Sequence, residues 1–345
     1  MMGDFGYKAG EAVIAMKMDG WYVWDCSVIR DGGKYHMFSS RWKKSLGFGW
    51  NWLFHSEVIH LTADCPEGPY QFENVVFRTR GPEYFDGRNT HNTNIHKYQD
   101  KYYLYYMGTT YSGNPPVHMS EIMWERALET WNRKRIGVAV ATDLSGEFER
   151  RNTPLLQSRD CSHWDCTVTT NPTAAILPNG KTYLIYKSRA GFGCPLQLGV
   201  AVADHPAGNF ERLTENPIFQ FADSNIHIED PFLWYDEKRK KFCLIAKDDS
   251  KNGVYGITGE WGNGFYAESD DCIHFTIPPD PLVYSRQVRW KDGKKTVQGN
   301  LERPFVLFDA NGNPTHLFCA SGNSSEPYRF EEETFIVCMK LEKKL

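Results

Sequence analysis

Three features of the sequence predict an all-β fold. Aromatic residues make up 14% of the 345 positions, alongside 29 glycines and 18 prolines, a composition that favours strands and turns over helices. A unit of strand, tight turn and strand occurs five times. A second element follows it: GVAVATDLSGEFERRNTPLLQ, from Gly137, matches GVAVADHPAGNFERLTENPIFQ, from Gly199, almost residue for residue. Five four-stranded antiparallel units cannot lie in one flat sheet of about 20 strands, because strand twist accumulates. Radial closure resolves this, and the prediction is a five-bladed β-propeller with the first strand of each unit around a central channel.

The units can be followed in order. First strands SVI, NIH, TAAI, FLW and FVLF lead into the turns RDGG, YQD, LPNG, YDEKRK and DANGNP, and these lead into KYHMFSS, KYYLYYMG, KTYLIYKS, KFCLIAKD and THLFCASG. Looser copies of the second element begin at Ser56 and Gly264, and the last copy is shortened to TFIVCMKLEK. The predicted blades are 21–80, 90–157, 168–220, 229–284 and 300–341, within one domain spanning 1–345. Two insertions between second and third strands exceed a hairpin turn. Residues 41–55 are dense in aromatics, and 108–135 contain a helix pattern, SEIMWERALETW, with Ser120 as its N-cap. Both reach the same rim of the channel.

Charge and hydropathy exclude several classes of function. Lys and Arg total 39 against 43 Asp and Glu, a net charge of −4, which gives no bulk attraction to nucleic-acid phosphates. No apolar run approaches the roughly 20 residues of a membrane helix, and the first 20 residues lack the pattern of an export signal, so a cytoplasmic or periplasmic location is expected. The nine cysteines include no CxxC pair. Cys243, Cys319 and Cys338 fall in apolar strands, as buried free thiols of a reducing compartment would.

The chemistry is expected at one mouth of the channel. Each first strand follows a polar cluster: WDCSVI at Trp24, HNTNIH at His91, TTNPTAAI at Thr169, HIEDPFLW at His227 and LERPFVLF at Leu301. Aligned on the apolar runs, the clusters fall at one level, so five sets of polar side chains converge there. Unpaired buried charge is costly, and a shared polar pocket gives these residues a reason to be where they are.

These clusters resemble the five-bladed propeller glycosidases that include arabinanases, β-xylosidases, α-L-arabinofuranosidases and neoagarooligosaccharide hydrolases. The family opens its first blade with Asp-Pro-Ser, its third with Asp-Pro and its fourth with Glu-x-Pro-Phe. The resemblance implies Asp25 as general base, with Cys26 in place of the usual proline, and Glu229 as general acid, with Asp230 beside it. It also implies a third carboxylate where Asn171 stands, a departure that passes the modulating role to Asp165 or Asp230. Glu302 has the same offset from its proline as Glu229 and is the rival acid, and His91, His96, His227 and His316 are further candidates because some relatives use histidine. The resemblance requires no cofactor, although several relatives hold one axial calcium ion.

Other residues complete the expected pocket. Trp24, Trp50 and Trp52 are sugar platforms, with Phe54 in the same aromatic run, and Asn171 and His91 are polar partners for substrate. Arg41, Lys187, Arg189, Lys247 and Arg303 lie near strand ends, where two or three converging would clamp a carboxylate or sulfate. The expected activity is exo-acting hydrolysis of an oligosaccharide, with an anionic sugar as the finer reading. A propeller phosphorylase and a non-catalytic carbohydrate-binding propeller are the alternatives.

Overall fold

The computed structural model describes residues 5–223, 225–250, 256–327, 329 and 333–344. It contains five four-stranded antiparallel sheets arranged as a five-bladed β-propeller. The first blade is built of Trp21–Asp31, Lys34–Lys43, Glu57–Ala63 and Gln71–Val75; the second of Asn89–Tyr98, Lys101–Thr109, Arg135–Ala141 and Glu149–Arg150. The third uses Thr170–Ile176, Thr182–Ser188, Gln197–Ala203 and Glu211–Arg212, and the fourth Ile228–Asp236, Lys241–Asp248, Gly264–Ser269 and Leu282–Tyr284.

The fifth blade corrects the reading of a shortened last copy. Glu302–Phe308, Pro314–Gly322 and Thr334–Lys343 are joined by Tyr7–Met16, which pairs with Thr334–Lys343 from Tyr7 opposite Lys343 to Met16 opposite Ile336. The N-terminal strand therefore completes the last sheet, so first and last segments of the chain close the ring together. Its alternating burial hid it in the sequence, because no second-element signature accompanies it.

The repeated second element has a physical origin. A Cβ on Gly137 would lie 2.6 Å from the Tyr106 ring, and one on Gly199 2.5 Å from that of Tyr186, so the glycine of GVAVA is dictated by the tyrosine packed on it. The tyrosine hydroxyls donate to Asp86 and Asp165, at 2.6 and 2.8 Å. Arg150 and Arg212 of the matching FER sequences reach those same aspartates.

Of the two insertions, residues 41–55 end in a one-turn helix, Asn51–His55, which buries Leu53 and Phe54. The helix in 108–135 spans Trp124–Asn132 and starts after Met123, which makes no side-chain cap; Ser120 lies in a separate 3₁₀ turn and is not the cap. Deleting residues 1–17 should uncover the edge of Thr334–Lys343, lowering Tm and promoting aggregation. An unchanged Tm in a thermal scan would contradict ring closure by this strand.

Candidate functional site

The five inner strands share one local distortion. Each shows a shift of register with its second strand at Trp24/Cys26, His91/Asn94, Thr170/Thr173, Glu229/Phe232 and Glu302/Phe305, and the fifth shifts again at Leu307/Phe308. At each shared shift one residue turns left-handed: Asp25 (φ 47°), Asn92 (57°), Asn171 (51°), Asp230 (52°) and Arg303 (56°). Asp and Asn tolerate this conformation, and it turns all five side chains toward the axis.

There they form a belt. Asp25 accepts the Asn92 amide N–H at 3.0 Å; Asn92 Nδ2 donates to Asn171 Oδ1 at 2.8 Å; Asn171 Nδ2 donates to Asp230 Oδ1 at 2.5 Å; and Asp230 accepts the Arg303 N–H at 3.1 Å. Asn171 thus spends its amide on the belt, bridging two neighbours.

Asp25 also accepts bonds from Ser40 Oγ at 2.6 Å and from the N–H and Oγ1 of Thr93, both at 3.2 Å. It has no exposed surface and is absent from the wall of the cavity above it. Burial pushes its carboxyl from 3.8 up to about 6, against the pull of the Arg303 guanidinium and of the hydrogen bonds from Ser40, Thr93 and Asn92.

Above the belt lies a cavity of about 310 Å³. Trp24, Trp42, Phe48, Trp50, Trp52 and Trp131 supply an aromatic wall. Glu229, Asp230, Asp249 and Glu302 supply carboxyl groups, and Lys134, Lys187, Arg189 and Arg303 supply basic groups. Two lysines tie neighbouring blades together. Lys187, opposite Thr170 in the third blade, contacts Glu229 of the fourth. Lys247, opposite Glu229 in the fourth, binds Glu302 of the fifth at 2.7 Å and lies 3.7 Å from Glu229 and 3.2 Å from Asp249.

The two glutamates occupy equivalent positions in unlike surroundings. Glu229 sits between two ammonium groups, whereas the Glu302 carboxyl is raised by burial, with Lys247 opposing and Asp230 and Glu229 adding to the rise. Both donors to Glu302, Lys247 and Asn300, bind Oε1.

The arginines are less satisfied. Arg189 Nε and Arg303 Nε and Nη1 are buried without a hydrogen-bond partner among the described residues, although Arg303 Nη1 lies 3.5 Å from Asp230. The Arg189 guanidinium lies over Trp131 and Phe192, at 5.3 and 4.9 Å from the ring centroids.

Other candidates lie elsewhere. Asp165 is not on the cavity wall; Arg159 at 2.6 Å, Arg212 at 2.7 Å and the Tyr186 hydroxyl surround it, just as Arg80, Arg150 and Tyr106 surround Asp86 one blade earlier. It is half of a repeated brace. His96 and His316 line a larger apolar funnel at the opposite mouth, His227 accepts the Leu196 N–H at 3.3 Å, and only His91 of the four histidines lines the cavity. Burial holds His91 well below its usual range, and its Nδ1 bonds Ser56 at 2.8 Å. Arg41 pairs with Glu57 at 2.9 Å away from the cavity wall. Among the described residues no group of three or more His, Cys, Asp or Glu is arranged to hold a metal ion.

Lys134, Trp131 and Asp249 were missed in the sequence. A signal for the first existed: aligning the two GVAVA copies sets Lys134 against Leu196, so one copy carries a lysine where the other keeps an apolar residue.

Neither a protein-family model nor a curated protein matches this sequence. Solved structures do match it in fold. A family 117 glycoside hydrolase of the marine bacterium Zobellia galactanivorans aligns over 98% of this chain and 92% of its own, with a TM-score of 0.69 and 18% identity. The native arabinanase of Bacillus subtilis aligns over 97% and 96%, with a TM-score of 0.54 and 14% identity. A family 43 β-xylosidase/α-arabinofuranosidase from a compost metagenome, in complex with xylotriose, aligns over 98% and 94%, with a TM-score of 0.54 and 14% identity. The class this defines is the five-bladed propeller.

Two predictions concern the carboxylates outside the cavity wall. Asp165→Ala and Asp86→Ala should each cost about 1–3 kcal/mol by removing a buried acceptor shared by two part-buried arginines and a tyrosine hydroxyl, while kcat of the folded Asp165→Ala protein stays near wild type; a large kcat loss without destabilisation would return Asp165 to the chemistry. For Asp25 the folded pKa lies above the unfolded one, so its contribution to stability is present at low pH and lost as pH rises from about 4 through about 6. Relative to Asp25→Asn, wild type should therefore gain about 3 kcal/mol between pH 7 and pH 4 in urea unfolding. A pH-independent difference would show that this carboxyl titrates normally.

Proposed function

We propose that the protein is a glycoside hydrolase that removes a terminal sugar bearing a carboxylate or sulfate group. The observation that carries the anionic preference is the unpartnered guanidinium nitrogen of Arg189 and Arg303 on the cavity wall. Arginine is charged at every relevant pH and is costly to bury unsatisfied, so a ligand oxyanion that accepts paired N–H bonds offsets that cost. A neutral sugar supplies only hydroxyls.

Glycoside hydrolysis is supported by the likeness in fold to glycosidases and by the divided environments of Glu229 and Glu302. A carboxyl whose protonated form burial favours can donate to the glycosidic oxygen, and a carboxylate paired with lysines can face the positive charge that develops at the anomeric carbon. Glu302 takes the first role in this reading and Glu229 the second, the reverse of what the family resemblance implies for the acid. Asp25, engaged by four donors below the cavity, anchors the belt. Exo-action is supported by the insertions at 41–55 and 108–135, whose Phe48, Trp50, Trp52 and Trp131 stand in the cavity wall.

The test is kcat/KM on matched uronide and neutral glycosides. A preference above tenfold for the uronide, shrinking in Arg189→Ala, is expected. Equal rates on the two, or a preference that Arg189→Ala leaves intact, would end the anionic reading. Sugar phosphate formed only when inorganic phosphate is added would instead identify a phosphorylase.

A further inference from the structure

The basic groups around the cavity fall into two sets. Lys187 contacts Glu229, Lys247 binds Glu302 at 2.7 Å, and Arg303 Nη1 lies 3.5 Å from Asp230. Lys134 and Arg189 line the same cavity at 1% and 8% exposure, and neither makes a side-chain hydrogen bond or ion pair with any described residue. From this division, and resting on the hydrolase reading, we propose that Lys134 and Arg189 together hold the carboxylate or sulfate group of the substrate, which makes Lys134 a specificity-determining residue.

One indole carries both groups. Lys134 Nζ lies 3.2 Å from the Trp131 ring centroid, and the Arg189 guanidinium carbon lies 5.3 Å from it. The rest of their surroundings is also aromatic: Trp52 is 5.4 Å from Lys134 Nζ, and Phe192 is 4.9 Å from the Arg189 guanidinium. A ring face stabilises an ammonium, but it returns only part of the hydration that burial removes, and two like charges over one ring repel each other. Burial, Lys187 and Arg189 accordingly work against the Lys134 charge, whereas Glu229 and Asp230 favour it more weakly. A ligand oxyanion supplies the counter-charge that no described side chain gives to these two groups, accepting from the guanidinium and from the ammonium at once. A sugar hydroxyl brings no charge.

Both side chains leave a fixed backbone. The Lys134 N–H donates to the Trp131 carbonyl at 3.2 Å, so ring and ammonium belong to one turn at the end of the helix Trp124–Asn132. The Lys134 carbonyl accepts from Arg135 Nη1 at 2.7 Å and from the Thr169 N–H at 3.4 Å, and the Arg189 carbonyl accepts from Thr167 Oγ1 at 2.7 Å. The short segment leading into the inner strand of the third blade therefore ties down both groups, one from blade two and one from blade three. Such a clamp needs little ordering when its ligand arrives.

Matched uronide and neutral glycosides test the pair through turnover, and sulfate alone tests it through binding. Lys134→Met should lower the ratio of kcat/KM for the uronide to that for the neutral glycoside by about tenfold or more, mainly through KM. Lys134→Arg, which keeps the charge, should restore most of that ratio. Equal loss on both glycosides is what a structural role would give, and it would overturn the proposal. If Arg189→Ala abolishes the uronide preference while Lys134→Met retains it, the anionic reading stands and the joint site falls. Tryptophan fluorescence of the wild-type protein, titrated with sodium sulfate against sodium chloride of equal ionic strength, should show saturable sulfate binding, weakened about tenfold or more in Lys134→Met and in Arg189→Ala. Equal sulfate affinity in Lys134→Met would overturn the proposal, and so would the lack of a saturable response in wild type, which decides the matter even if Lys134→Met fails to fold. Wild-type protein that binds sulfate through both residues yet hydrolyses no glycoside would overturn the hydrolase reading and leave the anion site in place.

Discussion

Everything at the near mouth depends on a belt of five residues that hold left-handed backbone around the axis. Four are Asp or Asn, for which φ near +50° is cheap; the fifth, Arg303, pays for an unfavourable conformation. The side chains of Asp25, Asn92, Asn171 and Asp230 each bond the belt residue of the next blade, so the blades are joined through the floor as well as through their apolar faces. Buried polar groups in such a chain are satisfied only together. A change at one member therefore acts on its neighbours, and no belt residue can be assigned a private role from its identity alone.

The second tier builds on the first. With each belt residue fixed, the residue before it in the last two blades, Glu229 or Glu302, lines the cavity, and the lysines on the second strands of blades three and four reach forward across one blade boundary. Lys187 and Lys247 are almost completely buried, and their charge is tolerable because a carboxylate of the following blade meets it. The pairing makes the glutamates unequal: one ammonium shared between Glu229 and Glu302 cannot compensate both as fully as the two that surround Glu229. The difference in pairing between the two glutamates thus follows from a repeat interrupted, since blade five carries Ala320 where blades three and four carry lysine.

Much of this was legible in the residues. Five strand-turn-strand copies require radial closure, and polar clusters at one height of five inner strands require a common pocket; both follow from periodicity, and the structure contains both. Which carboxylate faces the cavity was not legible, because hydrogen bonds from neighbouring strands decide it and a sequence does not display them. Asp25 sits under the wall, engaged by Ser40, Asn92 and Thr93, while Asp230, at the equivalent turn, reaches it together with Glu229. Asp165 misled for a different reason: its partners Arg159, Tyr186 and Arg212 come from three separate segments, and the brace becomes visible only when Asp86 is seen with the same three. The closing strand Tyr7–Met16 carries no repeat signature because its neighbours are the two ends of the chain.

The two mouths of the channel also differ for a physical reason. Beyond the belt each inner strand becomes apolar, with Val28, Ile95, Ala175, Leu233 and Val306 lining the far funnel of about 800 Å³, and its charged groups lie in hairpin turns, where Lys97 and Asp31 pair with each other at 2.6 Å. A charge there can reach bulk water, so its pKa and its pairing matter little to the fold. At the near mouth the insertions 41–55 and 108–135 place tryptophans over the charges and take water away. The same residue types then acquire shifted protonation and unpaired donors, as Glu302, Lys134 and Arg189 do. One end of a nearly symmetric ring of blades, unlike the other, combines converging polar residues with an aromatic cover.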